Sequence, residues 1–240
     1  GCTGRKEKVA AYCADKGIDL RNTFADLLKD ENLDAVIIAT PHGQHTDQII
    51  AAAEAGKHVF VEKPFTMTKE SAERARNACA TAGVVCALGH NRRFLPSMKR
   101  LRNLVDDGKI GDSIHVEANI STPGRDYSSD HWRSDPTQCP AGSMTGLGVH
   151  MTDALISIMG PIGQVNASSE VRCFGDVESA VTFMTLRFVS GATGVFSTLF
   201  QTAPVWFLRV SGNQGWAEIR DPHSLASRKI GAAKENLEKF

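Results

Sequence analysis

Apolar residues in the first ninety positions follow two rhythms. Short unbroken runs, Ala35-Val36-Ile37-Ile38-Ala39, Val59-Phe60-Val61 and Val84 to Leu88, alternate with stretches in which apolar side chains return every three or four residues. Unbroken runs of this kind predict parallel strands buried on both faces, and the three-to-four spacing predicts amphipathic helices. Helices are predicted from Lys6 to Lys16, Phe24 to Lys29, Gln44 to Ala55 and Met67 to Ala82, with a short extended piece from Ile18 to Asn22. Gly17, Gly56 and Gly83 stand where left-handed caps would end three of these helices, and the Thr68 hydroxyl is placed to cap the fourth. Ala72, Ala75, Cys79 and Ala82 form its inward face. Strands alternating with helices of this length predict a parallel, doubly wound sheet with helices over both faces, because parallel neighbours need a crossover between them.

After Gly89-His90-Asn91-Arg92-Arg93-Phe94 the rhythm changes. A helix from Pro96 to Asp107 precedes Ile114, Val116, Ala118 and Ile120, which alternate with His115, Glu117 and Asn119 and so predict a half-buried strand. Strands are predicted at Gln164 to Cys173, Ala180 to Phe188, Gly194 to Phe200, Phe207 to Val210 and Trp216 to Arg220, with Ser190-Gly191 and Ser211 to Gly215 as turns. One helix, Val149 to Met159, follows the glycine-rich stretch Ala141 to Gly148. The predicted class is α/β: a parallel sheet in residues 1–92, then an α/β domain with an open, mostly antiparallel sheet in residues 93–240. One face of that second sheet is expected to serve as a homo-oligomer interface.

The chain has 240 residues, 42% of them hydrophobic, enough for two modest cores. Lysine plus arginine and aspartate plus glutamate number 27 each, so no global field draws it to nucleic acid or an anionic membrane. No apolar run approaches the roughly 20 residues that span a bilayer, and Gly1 to Lys6 lack a signal peptide's apolar core. A cytoplasmic setting is the resulting expectation. The six cysteines form no Cys-x-x-Cys pair and are expected to be buried thiols. Arg92, Arg93, Lys99, Arg100 and Arg102 are basic, but Met98, Leu101 and Leu104 at helical spacing make most of that cluster a solvated face.

Candidate chemistry begins where Val59-Phe60-Val61 ends in Glu62-Lys63-Pro64. Ligands of open α/β sheets bind beyond the carboxyl ends of the strands, so Lys63 stands where a substrate is expected; the alternative is a solvated strand end. His42 and His45 make a His-x-x-His pair without a third ligand at compatible spacing, which argues for a ligand-loop role and against a metal. His150, at a predicted helix start, carries a side chain whose ordinary pKa suits proton transfer near neutrality, unless it only bonds neighbouring backbone. Asp153 lies one turn further on the same face. Trp132 beside Arg133 is either a packed loop anchor or a ligand contact.

Ala39-Thr40-Pro41 with His45, Glu62-Lys63-Pro64, Gly89 to Phe94, Trp132-Arg133, and Gly148-Val149-His150 with Asp153 together resemble, in order and spacing, the glucose–fructose oxidoreductase/inositol dehydrogenase (Gfo/Idh/MocA) family. The resemblance covers nearly the whole chain. It implies a Rossmann domain followed by an α/β domain on an open sheet, and NAD(P)-dependent redox chemistry on a sugar, cyclitol or related polyol. It also implies that Lys63 and His150 are the catalytic pair and that Lys63, His150 and Asp153 meet the substrate. Thr40, Pro41, His42, His45, Glu62, Lys63 and Arg92 would lie along the dinucleotide, and Trp132 and Arg133 would reach it from a substrate-side loop.

The family pattern opens with a strand and a Gly-x-Gly-x-x-Gly turn that this sequence does not carry, and it continues beyond a segment like Leu225 to Phe240, so an internal fragment or a degenerate copy is expected. Gly146 stands where many members have an aspartate, four residues before the histidine. By the same alignment Thr3 occupies the end of the second strand, where NAD-specific domains have an acid for the ribose 2′-hydroxyl. Thr3 with Arg5 and Lys6 just after it therefore favours NADP over NAD. The competing expectation is a non-catalytic regulator or ligand sensor on the same scaffold, for which the loss at Gly146 would be the mark.

Overall fold

The three apolar runs of the first ninety residues form β1 (Ala35–Ile38), β2 (His58–Val61) and β3 (Cys86–Leu88), a parallel sheet in that order. The computed structural model describes residues 1–123, 132–135, 137–174 and 177–240, and it divides into two compact units, Gly1–Gly89 and His90–Phe240. In the first unit, α1 (Lys6–Asp15) and α2 (Phe24–Leu28) precede the sheet, and α3 (His45–Glu54) and α4 (Lys69–Ala82) are its crossovers. The Thr68 and Ser71 side chains cap the first turn of α4 reciprocally, and Gly83 ends it at φ +67°, a backbone setting that suits glycine. Residues 18–22 form no strand.

The helices do not cover both faces of this sheet. Val36, Ile38, Val59 and Val61 are buried in one cluster with Ile49, Ala52, Ala53, Ala75 and Cys79, while Ile37 and Phe60 on the other face are 78% and 42% exposed. The reason lies in the strand order. Right-handed crossovers taken repeatedly in one direction, β1 to β2 to β3, put every crossover helix on the same side, and only a reversal of strand order brings helices to the other. Within α4, Ala75 and Cys79 are buried as expected, but Ala82 is exposed and Ala78 takes its place against the core.

In the second unit, α5 (Pro96–Asp106) and α6 (Val149–Met159) lie on one face of an eight-stranded sheet. Its strands are β4 (Ser113–Ser121), β5 (Ile162–Phe174), β6 (Val177–Phe188), β7 (Thr193–Leu199), β8 (Val205–Gly212), β9 (Gly215–Asp221), β10 (Ser224–Lys229) and β11 (Asn236–Lys239). The order is β11-β10-β9-β8-β4-β7-β6-β5, antiparallel except for the β4–β7 pair. Met98, Leu101 and Leu104 of α5 and Met151, Ala154 and Leu155 of α6 pack on Val116, Ala118, Ile120, Phe196, Leu208 and Ile219. Ile114, expected inward, is exposed, next to a register shift at the start of β4. The sequence reading stopped before β10 and β11, because Ser224–Lys229 carries only Leu225 and Ala226 as apolar residues and both are buried by position in the sheet rather than by alternation.

The cysteines are less uniform than expected. Cys13 and Cys79 are buried, but Cys2 is exposed and Cys86 and Cys139 are half-buried; Cys173 lies outside the described side chains. Burial and the neighbouring Cys79 push the Cys86 thiol up to about 12. For the first unit the exposure pattern sets a measurable contrast. Val61→Ala is expected to lower stability by about 2 kcal/mol, as truncation of a fully buried side chain does, and Ile37→Thr to change it by less than about 0.5 kcal/mol. Urea unfolding of both variants measures it, and equal losses would mean that the Ile37 face is covered.

Candidate active site

Because β1, β2 and β3 are parallel and in register, with Ile38 beside Val61 and Val61 beside Leu88, their carboxyl ends share one edge. The Glu62 N–H donates to the Ile38 carbonyl at 2.9 Å and the Gly89 N–H to the Val61 carbonyl at 2.8 Å, so each strand end is tied to its neighbour. A Cβ on Gly89 would come within 3.3 Å of that Val61 oxygen, which explains the glycine. Thr40-Pro41 and Glu62-Lys63-Pro64 leave the sheet side by side. Lys63 is half-buried, Glu62 is exposed with its carboxylate accepting the Lys63 N–H at 3.3 Å, and the Lys63–Pro64 peptide is cis.

His45, at the first position of α3, is 0% exposed. Its Nδ1 is 2.8 Å from the Pro64 carbonyl oxygen and its Nε2 is 3.0 Å from that of Thr40. A neutral imidazole donates to one of these and a doubly protonated ring to both. Both ring nitrogens thus face main chain, and His45 ties together the two strand-end loops. The Thr40 hydroxyl donates to Gln48 Oε1 at 2.6 Å, and the buried His42 ring is 6.0 Å from that of His45. Thr3 and Arg5 lie at the start of α1, where the Thr3 hydroxyl accepts the Arg5 N–H at 3.3 Å. The Lys6 ammonium is hydrogen-bonded to the Asn22 side-chain oxygen, whereas the exposed Arg5 guanidinium makes no ion pair among the described residues.

The second unit holds the other candidates. His150 is buried in the first turn of α6, its ring centroid 6.0 Å from that of His90. Asp153 was expected to meet substrate, but its two oxygens accept from Arg93 Nε at 2.6 Å and Nη2 at 2.5 Å, with His90 Nε2 3.9 Å away. The turn Asn91–Phe94 packs on α6, which brings Arg93 onto that carboxylate; the bidentate bond raises the Arg93 pKa further. Its neighbour Arg92 turns elsewhere, with Cζ 5.5 Å from the Trp206 ring centroid. Arg133 stacks on Trp132 with Cζ 4.0 Å from the ring. Gly146 belongs to a π-helical turn, Met144–Gly148, and a Cβ there would meet nothing within 4 Å.

Lys63 belongs to the first unit and His150 to the second. Sequence reasoning missed His90 and Trp206: the first sits inside a quoted motif without a role, and the second falls one residue ahead of a strand whose start was read late.

The architecture is a parallel sheet with a lysine at a strand end in the first unit and an open, mostly antiparallel sheet whose helix carries a histidine in the second. The chain belongs to the GFO/IDH/MocA oxidoreductase family. The family's NAD-binding Rossmann-fold model matches residues 2–90 and its C-terminal domain model residues 98–218. Scyllo-inositol 2-dehydrogenase (NAD(+)) of Bacillus subtilis is 32% identical over 199 residues, covering 80% of this chain and 55% of that protein. D-xylose 1-dehydrogenase (NADP(+)) 2 of Haloferax volcanii is 31% identical over 216 residues, 89% of this chain and 65% of that one. The chain thus spans less than two thirds of the length of either relative. Among solved structures, aldose-aldose oxidoreductase from Caulobacter crescentus, complexed with glycerol, matches with a TM-score of 0.87 and 27% identity over 99% of this chain and 74% of that one.

The His45 bonds make a direct prediction. His45→Ala removes the imidazole donor from between two part-buried carbonyls and is expected to lower stability by about 1–3 kcal/mol. Denaturant unfolding measures this, and a loss below about 0.5 kcal/mol would show that water replaces the imidazole at both carbonyls.

Proposed function

We propose that the full-length protein is an NAD(P)-dependent oxidoreductase that transfers hydride between nicotinamide and a CH–OH carbon of a sugar, cyclitol or related polyol. The observation that carries this reading is Lys63, half-buried at the carboxyl end of β2, in a chain matched by the family's models over both units. In this reading residues 1–92 are the dinucleotide domain and residues 93–240 the substrate and assembly domain. The strand-end loops suit a dinucleotide: they leave one edge of a parallel sheet, as such ligands require, and are fixed by His45. Thr40, Pro41, His42, Glu62 and Lys63 would hold it, with Arg5 at the adenosine end, Trp132 and Arg133 at the nicotinamide end, and Thr3 in place of the acid that selects NAD. A bound nicotinamide would supply the hydride acceptor for the oxidation and the hydride donor for the reduction. His150 takes the hydroxyl proton in the oxidation and gives it back in the reduction. Lys63 supplies a hydrogen-bond donor at the carboxyl end of β2 for negative charge that develops on a substrate oxygen.

NADP is the favoured cofactor, since Arg5 is exposed and without an ion pair among the described residues. We further assign the protein to the cytoplasm as a homo-oligomer that associates through the sheet face opposite α5 and α6, where Phe183 and Val195 are exposed. No helix among the described residues is long and apolar enough to cross a membrane. A ligand sensor on this scaffold is the second reading, favoured by Gly146; the open space around that glycine means that Gly146→Asp fits without displacing a neighbour.

Turnover decides between them. Lys63→Ala and His150→Ala are each expected to lower kcat by about 10²-fold or more on the best polyol while leaving the fold intact, and loss of less than a few-fold in either would remove that residue from the mechanism. A sensor would bind polyol without oxidising it, and Gly146→Asp would then be the variant in which turnover appears. For the cofactor, Arg5→Ala is expected to lower kcat/KM with NADP by about tenfold and leave NAD nearly unchanged. Equal use of both cofactors by the parent would overturn the NADP assignment.

A further inference from the structure

Adjacent arginines in the second unit have opposite surroundings. Arg93 is neutralised by the two oxygens of Asp153, and Arg92 has no carboxylate within ion-pair distance among the described residues. Yet Arg92 is the more buried of the two, and burial alone lowers its pKa. Its Nε is sealed from solvent without an acceptor, and the Trp206 ring 5.5 Å away supplies only a cation–π contact. The indole Nε1 of Trp206 is likewise buried and without an acceptor. Polar atoms are seldom left in this state in folded proteins, and a half-buried guanidinium without a nearby counter-charge adds to the imbalance.

Two further orphans lie on the same side of the sheet. Trp206 opposes Ile120 of β4, which places it on the helix-covered face; Thr198 of β7 shares that face through the Ala118–Phe196 pairing two residues earlier. The hydroxyls of Thr198 and of Ser143, which leads into the turn Met144–Gly148 packed on β4 and β7, are buried and unpartnered. Guanidinium and indole N–H groups are donors only, whereas hydroxyls donate and accept. A ligand that satisfies the adjacent Arg92 and Trp206 donors has an acceptor-only group carrying one negative charge.

We propose that Arg92 and Trp206 receive a carboxylate of the substrate, so that the polyol oxidised is a sugar acid of the aldonic or uronic class. This rests on the oxidoreductase reading and moves Arg92 from the dinucleotide to the substrate. The family's nucleotide-binding match ends at residue 90, and the ring beside Arg92 belongs to the eight-stranded sheet. A single guanidinium matches the charge and planar fork of a carboxylate, whereas a phosphate dianion would leave charge uncompensated. Arg92 and Trp206 are thus specificity-determining residues.

Binding and turnover separate this proposal from the reading beneath it. The full-length protein is titrated by calorimetry with D-gluconate, D-galacturonate, D-glucose, D-galactose, myo-inositol and D-glucose 6-phosphate, and kcat/KM is measured for each with both cofactors. At least one of the acids should be preferred over its neutral counterpart by about 10²-fold or more. Arg92→Gln should abolish that preference while NADPH and NADH affinities stay within twofold; Arg92→Lys should retain part of it, and Trp206→Phe, which keeps the ring and loses the donor, should reduce it by about tenfold. Preference for a neutral sugar or the phosphate, or no binding of either acid, overturns the proposal while turnover of neutral polyols leaves the oxidoreductase reading standing. Weakened cofactor binding by Arg92→Gln with an unchanged acid-to-neutral ratio also overturns it and returns Arg92 to the dinucleotide.

Discussion

The handedness of the parallel crossover governs the first unit. Each strand must return over the sheet before the next begins, and with β1, β2 and β3 taken in sequence order both returns fall on one face. One consequence is a single buried face, on which Ile49, Ala52, Ala53, Ala75 and Cys79 meet the inward strand residues, opposite a face where Ile37 and Phe60 meet water. The other is that strand ends collect. Thr40-Pro41 and Glu62-Lys63-Pro64 are more than twenty residues apart in the chain and adjacent at the edge because parallel strands in register must finish together. His45 then converts adjacency into fixed geometry, joining the Thr40 and Pro64 carbonyls through one buried ring.

In the second unit the organising device is electrostatic as much as apolar. Across the sheet face away from α5 and α6, Arg209 stands between Glu117 and Glu218, and Arg220 between Glu218 and Glu235. Glu218 is only 7% exposed, and a carboxylate so placed is tolerated because two guanidinium groups flank it. The helix-covered face is apolar over most of its area. Arg92, Ser143, Thr198 and Trp206 of this unit each hold a buried side-chain polar atom with no hydrogen-bond partner among the described residues. The ion-pair ladder on one face and these unpartnered atoms in the same unit form a contrast that few folded proteins carry without a reason.

Elements were legible in the sequence wherever local periodicity and capping agreed. The helix Val149–Met159 was read to the residue, and the strand ends at Ile38 and Val61 to within one, since Gly, Pro and Thr at fixed offsets mark boundaries by backbone sterics alone. The motif residues Thr40, Glu62, Lys63 and His150 were identifiable as chemistry in search of a site because charged or titratable side chains interrupt apolar runs there. Family membership, too, was carried by those motifs in order.

What the sequence could not determine depends on partners distant in the chain. Nothing local distinguishes Arg92 from Arg93: both are arginines in one short turn, and only the packing of that turn on α6 gives Asp153 to one and Trp206 to the other. His45 reads as a ligand-loop histidine until the Thr40 and Pro64 carbonyls close on its ring. β10 and β11 have too few apolar residues to announce themselves, and their place is set by pairing with β9. The unbroken run Ala35 to Ala39 predicted burial on both faces, but burial is a property of what lies opposite. Sequence pattern therefore determined which segments are helix or strand and which side chains carry chemistry, because those follow from neighbours a few residues away. Tertiary structure alone decided which charge is paired and which has no counter-charge among the described residues, because an ion pair is made between segments whose distance along the chain carries no information about their distance in space.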